Sequence, residues 1–208
     1  MKDLILKQLK KLNQQEKEEL FFDFLSSKNH DLIQIENTLF KLEEIDIIKA
    51  FIELGMDANI INRVGITPLF YVQSKETAEI LIVHGADVNA KSIQGSTPLF
   101  YVKSKEMAEV LIQAGADVNI KNKIKNTPLF FAVIKEIAEV LIQSHADLDT
   151  KNNRDETPAE YQRDSFHNDI ADLIEQKKLE QEIQLEKEKL NQTILDTKKI
   201  PNRSRKHL

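Results

Sequence analysis

The sequence predicts an all-α solenoid of stacked helix-turn-helix repeats, with a helical N-terminal cap and a charged C-terminal helical extension. Three observations predict it. Thr67-Pro68-Leu69-Phe70 recurs letter for letter as Thr97-Pro98-Leu99-Phe100 and Thr127-Pro128-Leu129-Phe130, and Thr157-Pro158 begins it again, at a constant step of 30 residues. A fixed period of roughly 20–50 residues marks a stacked-repeat architecture. All five glycines fall in two phase columns, Gly55/Gly85/Gly115 and Gly65/Gly95, and four of the five prolines share one column. Residues of special backbone geometry are therefore placed by the repeat, as a true structural period requires.

Residues 1–36 precede the repeat and are assigned to the cap, which covers the apolar face that a terminal unit leaves bare. Leu4, Leu6, Leu9 and Leu12 mark one helix face, and Gln15 to Ser26 a second helix burying Leu20, Phe21, Phe24 and Leu25. Asn29-His30-Asp31 predicts a turn and a further helix start, since Asn and Asp cap helices well. Leu32, Ile33 and Ile35 would follow in that helix. A separate partner-binding helix is the alternative role for this segment.

Each unit reads in physical terms. Pro68 suits a first helical turn and Thr67 its cap, so Leu69, Phe70 and Val72 form a short inner helix. Ser74-Lys75-Glu76 restarts the chain with a capping Ser and an acid in the first turn. Ala78, Ile80, Leu81 and Ile82 build the outer helix, and Gly85 closes it in the left-handed conformation. Ala86-Asp87-Val88-Asn89 leads into a polar loop that Gly95 helps to turn. The first unit is degenerate but in phase: Asn37-Thr38-Leu39-Phe40 precedes Thr67-Pro68-Leu69-Phe70 by one period.

Thr-Pro-Leu opening two helices, closed by Gly-Ala-Asp-Val-Asn at 85–89 and 115–119 and in weaker form at 55–59 and 145–149, resembles the ankyrin repeat. The resemblance covers residues 37–176, as units 37–66, 67–96, 97–126, 127–156 and a capping unit 157–176. Two departures stand out. Ankyrin units run about 33 residues, and the shortfall here lies between the helices, so the inner helix is expected to be little more than one turn. The family's His after Thr-Pro-Leu is replaced by Phe70, Phe100 and Phe130, a buried aromatic column that compensates for lost contacts.

The last unit has three extra residues before its outer helix and regains the family's length. Asp172, Glu175, Lys177 and Lys178 suit a solvent-facing end. Residues 177–208 form a charged extension, with Leu179, Ile183, Leu190 and Ile194 at helical spacing. Pro201 ends it, and a basic tail follows. The stripe sustains barely two heptads, fewer than a coiled coil needs, so a monomer is expected.

No catalytic, cofactor or metal site is expected. The chain has no cysteine, which excludes disulfides and thiolate metal sites. The glycines are too far apart for a phosphate loop. The five histidines lack ligand spacing, and Glu76, Glu79, Glu106, Glu109, Glu136 and Glu139 recur with the period as solvated faces beside Lys75, Lys105 and Lys135. A net charge of −5 does not point to nucleic acid. The apolar run at Met1 to Lys7 is too short for a secretory signal, and no membrane partner is expected. The chain is read as cytoplasmic, or as secreted into a host cell without an N-terminal signal peptide. The resemblance to bacterial ankyrin proteins motivates the second reading.

The function these observations predict is a protein-protein interaction scaffold. What the resemblance implies is binding through loop tips and the concave face, with specificity at Ile61, Arg63, Val64, Lys91, Ile93, Gln94, Lys121, Lys123, Ile124, Lys151, Asn153 and Arg154. The tips hold Arg63, Lys91, Lys121, Lys123, Lys125, Lys151 and Arg154 against only Asp155 and Glu156, so an acidic protein is the expected partner. Lys91, Lys121 and Lys151 share one phase column, a ladder at about the helix-packing distance of 10 Å. Alternatives are nucleic-acid binding by Lys198, Lys199, Arg203, Arg205 and Lys206, which lack aromatic neighbours for base stacking, and self-association through the C-terminal helix.

Overall fold

The structure, a computed structural model, describes residues 9–26, 32–35, 38–41, 44–72 and 74–198. It is an all-α repeat fold. The helices that lie within the described residues are α1 (Gln14–Ser26), α2 (Glu44–Glu53), α3 (Lys75–Val83), α4 (Lys105–Gln113), α5 (Lys135–Gln143), α6 (Pro158–Asp164) and α7 (Asn168–Lys198). Single 3-10 turns at Pro68–Phe70, Pro98–Tyr101 and Pro128–Phe131 stand where the inner helices were expected. Shortening each unit to 30 residues therefore removes nearly all of the inner helix, as the sequence implied. The last unit keeps its three extra residues and has a seven-residue inner helix, α6.

The N-terminal segment departs from a wholly helical cap. Residues 32–35 and 38–41 form an antiparallel pair, β1 (Leu32–Ile35) and β2 (Thr38–Lys41), with Ile33 opposite Phe40 and Ile35 opposite Thr38. The helix expected after Asp31 is corrected: Leu32-Ile33-Gln34-Ile35 is too short and too rich in β-branched residues to nucleate a helix. The same pairing explains why Thr38-Leu39-Phe40 makes no inner turn. Thr38 stands where later units have proline, so nothing presets the backbone for a turn. The first unit keeps only its outer helix, α2, and the loop after it. The face of Leu4 and Leu6 and the Asn29-His30-Asp31 turn lie outside the described residues, as do Pro201 and the tail residues 199–208.

The helix α1 starts on a reciprocal cap, with the Glu16 amide donating to Asn13 Oδ1 at 3.0 Å and the Asn13 amide to Glu16 Oε2 at 2.8 Å. It closes the first face of the stack through Phe21, which is 1% exposed and lies 4.6 Å from Phe51 of α2, ring centre to ring centre. Along the stack, α2, α3, α4, α5 and α7 pack side by side. Ala78, Ala108, Ala138 and Ala171 are fully buried at equivalent positions, where a small side chain lets neighbouring helices approach. Leu69, Leu99 and Leu129 fill the space between inner turns and outer helices, each contributing about 1.5–3 kcal/mol of burial.

The capping pattern also carries a correction. Thr67, Thr97 and Thr127 were expected to cap the inner turns, yet their hydroxyls make no cap bond and are buried without a partner among the described residues. The reason is the hydrogen-bond step. In the 3-10 turns the third amide is taken by the threonine carbonyl itself: Phe70, Phe100 and Phe130 donate to Thr67, Thr97 and Thr127 at 3.0–3.1 Å. In α6 the carbonyl of Thr157 is bonded by Tyr161 instead. The Glu160 amide is then free for Thr157 Oγ1, and a full capping box forms. Contacts with Thr157 hold the Glu160 carboxyl below its usual range. The outer helices behave as read. Ser74 and Ser104 accept from Thr77 and Met107 amides at 3.2 Å, whereas Ile134 replaces the serine and offers no cap.

From Asn168 to Lys198 the chain is one continuous helix, so the last outer helix and the charged extension are a single element. The exposed glutamates of the outer helices pair locally, Lys75 with Glu79 at 3.7 Å and Lys105 with Glu109 at 3.5 Å. No described helix is long and apolar enough to cross a membrane.

Candidate protein-binding surface

The tips are built from one repeated device. The amide of Asn62 donates to the Ile66 carbonyl, closing a small hairpin, and Asn62 Oδ1 accepts from the amides of Val64 and Ile66, both at 3.0 Å. Asn122 and Asn152 do the same for residues 124 and 126, and 154 and 156. Ser92 closes the same hairpin with its main chain, but its side chain is too short to reach the turn amides. Each hairpin needs a left-handed residue at its fourth position. Gly65 and Gly95 supply it in the first two tips, and Lys125 and Asp155 adopt φ of 62° and 63° in the next two.

That column carries a stability prediction. A Cβ at Gly65 would sit 3.2 Å from the Ile93 amide nitrogen, so Gly65→Ala meets both a forbidden φ and a close backbone contact. Lys125→Gly removes the strain that lysine bears there and raises stability by about 1 kcal/mol. Thermal melts of the two variants are expected to move in opposite directions.

Successive tips are joined by main-chain bonds. The amides of Ile93, Lys123 and Asn153 donate to the carbonyls of Val64, Gln94 and Ile124 at 2.9–3.1 Å. Below them runs an asparagine ladder. Asn59 Nδ2 donates to the Gly85 carbonyl at 2.8 Å and its Oδ1 accepts from the Asp87 amide at 2.7 Å. Asn89 and Asn119 repeat both bonds one and two units on. At the next rung the residue is Asp149, with no following Gly-Ala-Asp to bond, and its carboxylate pairs with Lys178 of α7. The Thr150 hydroxyl, then the Asp149 amide, holds the Asp147 carboxyl below its usual range, and Lys121 adds a weaker pull.

All twelve residues singled out from the sequence stand exposed on this joined edge. Ile61 is 64% exposed, Ile93 and Ile124 each 52%, and Val64 42%. The charges divide unevenly. Lys151 pairs with Asp155 at 2.9 Å, which raises its pKa, and Arg154 pairs with Glu156 at 2.9 Å. Arg63, Lys91, Lys121, Lys123 and Lys125 make no ion pair with the described residues. The lysine ladder is thus available at two rungs and neutralised at the third.

The inner face holds a feature the sequence reading missed. Tyr71, Tyr101, Phe131 and Tyr161 recur at the same step of 30, directly beside the buried Phe column. Three of these rings pack on the phenylalanine of the preceding unit, Phe70–Tyr101 at 5.6 Å, Phe100–Phe131 at 5.7 Å and Phe130–Tyr161 at 5.6 Å, and Tyr71 packs on Phe22 of α1 at 6.2 Å. Their outer edges are partly open, with Tyr101 44% exposed. The signal was in the register itself, an aromatic one position after each Thr-Pro-Leu-Phe. A groove of about 550 Å³ ends this face between α1 and the first tip, lined by Glu18, Glu19, Phe22, Ile61, Arg63 and Val64 among others.

Stacked short-turn and helix units, joined at hairpin tips and by an asparagine ladder, find their match in sequence comparison. Residues 40–122 match a family model of ankyrin repeats in three copies, and residues 125–153 match the single ankyrin repeat. The chain is an ankyrin-repeat protein. No curated protein matches it. Ankyrin repeats generally mediate protein-protein interaction, and ankyrin-repeat proteins are typically scaffolds without enzymatic activity. Among the described residues of this ankyrin-repeat protein, no group of three or more His, Asp or Glu could hold a metal ion.

Proposed function

We propose that this ankyrin-repeat protein is a scaffold whose joined tips of residues 61–66, 91–96 and 121–126 hold an acidic protein segment. The observation that carries this reading is the coincidence, on one hydrogen-bonded edge, of cations that make no ion pair with the described residues and of exposed aliphatic side chains. The cations Arg63, Lys91, Lys121, Lys123 and Lys125 attract and orient the partner, since exposed charge acts mainly on encounter rate. Ile61, Val64, Ile93 and Ile124 anchor it once docked, since apolar contacts govern dissociation. Main-chain bonding between tips limits the ordering cost on binding.

The experiment compares partners crosslinked from lysate by the wild-type chain and by Lys91→Glu with Lys121→Glu, identified by mass spectrometry, followed by kinetics on a recovered partner. The charge-reversed chain is expected to associate at least about tenfold more slowly at low salt, with a flattened salt dependence. Ile93→Ala with Ile124→Ala is expected to raise the dissociation rate and leave association unchanged. Equal recovery of every partner by the charge-reversed chain would sink the proposal.

A further inference from the structure

Beyond Lys178, α7 leaves the array and runs for 20 residues to Lys198, about 30 Å of helix. Its apolar residues are exposed: Leu179 is 57%, Ile183 43%, Leu190 62% and Ile194 41% exposed, while Leu185 at 52% and Leu195 at 53% lie on other faces of the helix. Judged by heptads this stripe is weak, because Glu186 interrupts it. Its actual period is eleven: Leu179 and Leu190, and Ile183 and Ile194, are each eleven residues apart. Eleven residues complete three turns of a straight helix to within about 20°. The four side chains therefore form one narrow stripe along the helix, with only a slight drift.

The spacing reads the same in both directions, with steps of four, seven and four residues. A stripe with that symmetry is self-complementary under a two-fold axis between residues 186 and 187. Leu179 then meets Ile194 of the other copy, and Ile183 meets its Leu190. We propose that α7 pairs with α7 of a second copy of this chain, antiparallel, along this stripe.

Charge favours the same arrangement. In antiparallel helices, positions on one flank of the seam face the same flank of the other copy. Glu182 and Lys189 share a flank, and the two-fold axis brings Glu182 of each copy next to Lys189 of the other, giving two ion pairs. Neither residue spends its charge in an ion pair among the described residues. An antiparallel overlap of residues 179–194 spans about 24 Å and leaves the two arrays at opposite ends, free of each other. The interface is isologous and closes as a dimer. Eight half-exposed Leu and Ile side chains with their flanks bury on the order of 1,000 Å², the low end of specific interfaces. The pairing is therefore reversible, and it leaves the binding tips of both copies open.

Sedimentation equilibrium on the full chain tests this. The mean mass is expected to rise from one chain toward two between about 5 and 500 µM, the range of a weak interface. Ile183→Ser with Leu190→Ser replaces solvent-exposed side chains, so the array melts as wild type while the mass stays at one chain throughout. Glu182→Lys alone is expected to weaken dimerisation at least about tenfold, and adding Lys189→Glu to restore it. A wild-type mass of one chain at 500 µM overturns the proposal, as does a dimer that survives Ile183→Ser with Leu190→Ser. Failure of the second charge reversal to restore the dimer overturns the antiparallel arrangement. None of these outcomes touches the tip surface, so the scaffold reading stands or falls separately.

Discussion

Phe100→Ala is expected to lower stability by about 3–5 kcal/mol, the cost of emptying a buried aromatic site in a core that cannot collapse around it. Phe100 is 6% exposed and sits in the middle of the stack, with Phe131 of the next unit 5.7 Å from its ring. Its removal deletes its own packing and undercuts the inner-face ring that rests on it. The inner turn it occupies is only four residues long, so few other side chains hold this layer together. Because each unit touches only its neighbours, a weak central interface also separates the array into halves. Differential scanning calorimetry is expected to show the main transition lowered by roughly 10 °C and broadened. Phe166→Ala is the control. Phe166 is 90% exposed at a φ of 65°, so its loss stays within about 0.5 kcal/mol. A Phe100→Ala melt that overlays wild type would refute the inter-repeat role of the aromatic column.

Gln162→Leu is expected to cost about 2–4 kcal/mol, placed at the C-terminal end of the stack. Gln162 is 1% exposed, and its side-chain amide donates to the carbonyls of Leu129, Phe130 and Ala132 at 3.2, 3.1 and 3.0 Å. These carbonyls belong to and follow the last 3-10 turn, where α6 covers them from water. Earlier units place Val72, Val102 and Ala132 in the same phase column, so the amide is an adaptation of the final unit. Leucine keeps the volume and removes both donors, leaving buried acceptors bare. Hydrogen exchange is expected to show α6 and the first turns of α7 losing protection while residues 62–96 keep theirs. Gln162→Glu sets a carboxyl against carbonyl oxygens. Its folded pKa is raised, so the variant is most stable at low pH and weakens as pH rises through that pKa. Uniform loss of protection across all units would show that Gln162 supports the whole stack and not its last layer.

Much of this protein was legible before any coordinates. The step of 30 located the outer helices α3 to α5 and predicted the single-turn inner elements. The same column logic placed Gly55, Gly85 and Gly115 in left-handed positions. It also set Ile61, Lys91, Lys121 and their neighbours on loops, and all twelve candidate residues are indeed solvent-facing. Repeats make such inference reliable because one local interpretation must hold at several places at once.

What stayed illegible depended on partners distant in sequence. Nothing local says that Thr67, Thr97 and Thr127 lose their caps, because the choice between a 3-10 and an α-helical bond is made by how the turn packs on its neighbours. The repeat pattern alone does not show that Lys151 is neutralised while Lys91 and Lys121 are not: the left-handed position four residues on is Asp155 in that tip and Gly95 and Lys125 in the other two, and the fold decides that Asp155 reaches the ammonium. The pairing of β1 with β2 was hidden because a helix start and a short strand share the same turn residues and aliphatic run. The sequence by itself determined the period, the helix faces, the left-handed columns and the exposed charges, all of which follow from residue type and spacing. Only the tertiary structure decided which hydrogen bonds close, which tip charges remain available and how the last unit seals the stack. Those depend on distances between units, and chain order alone does not encode such distances.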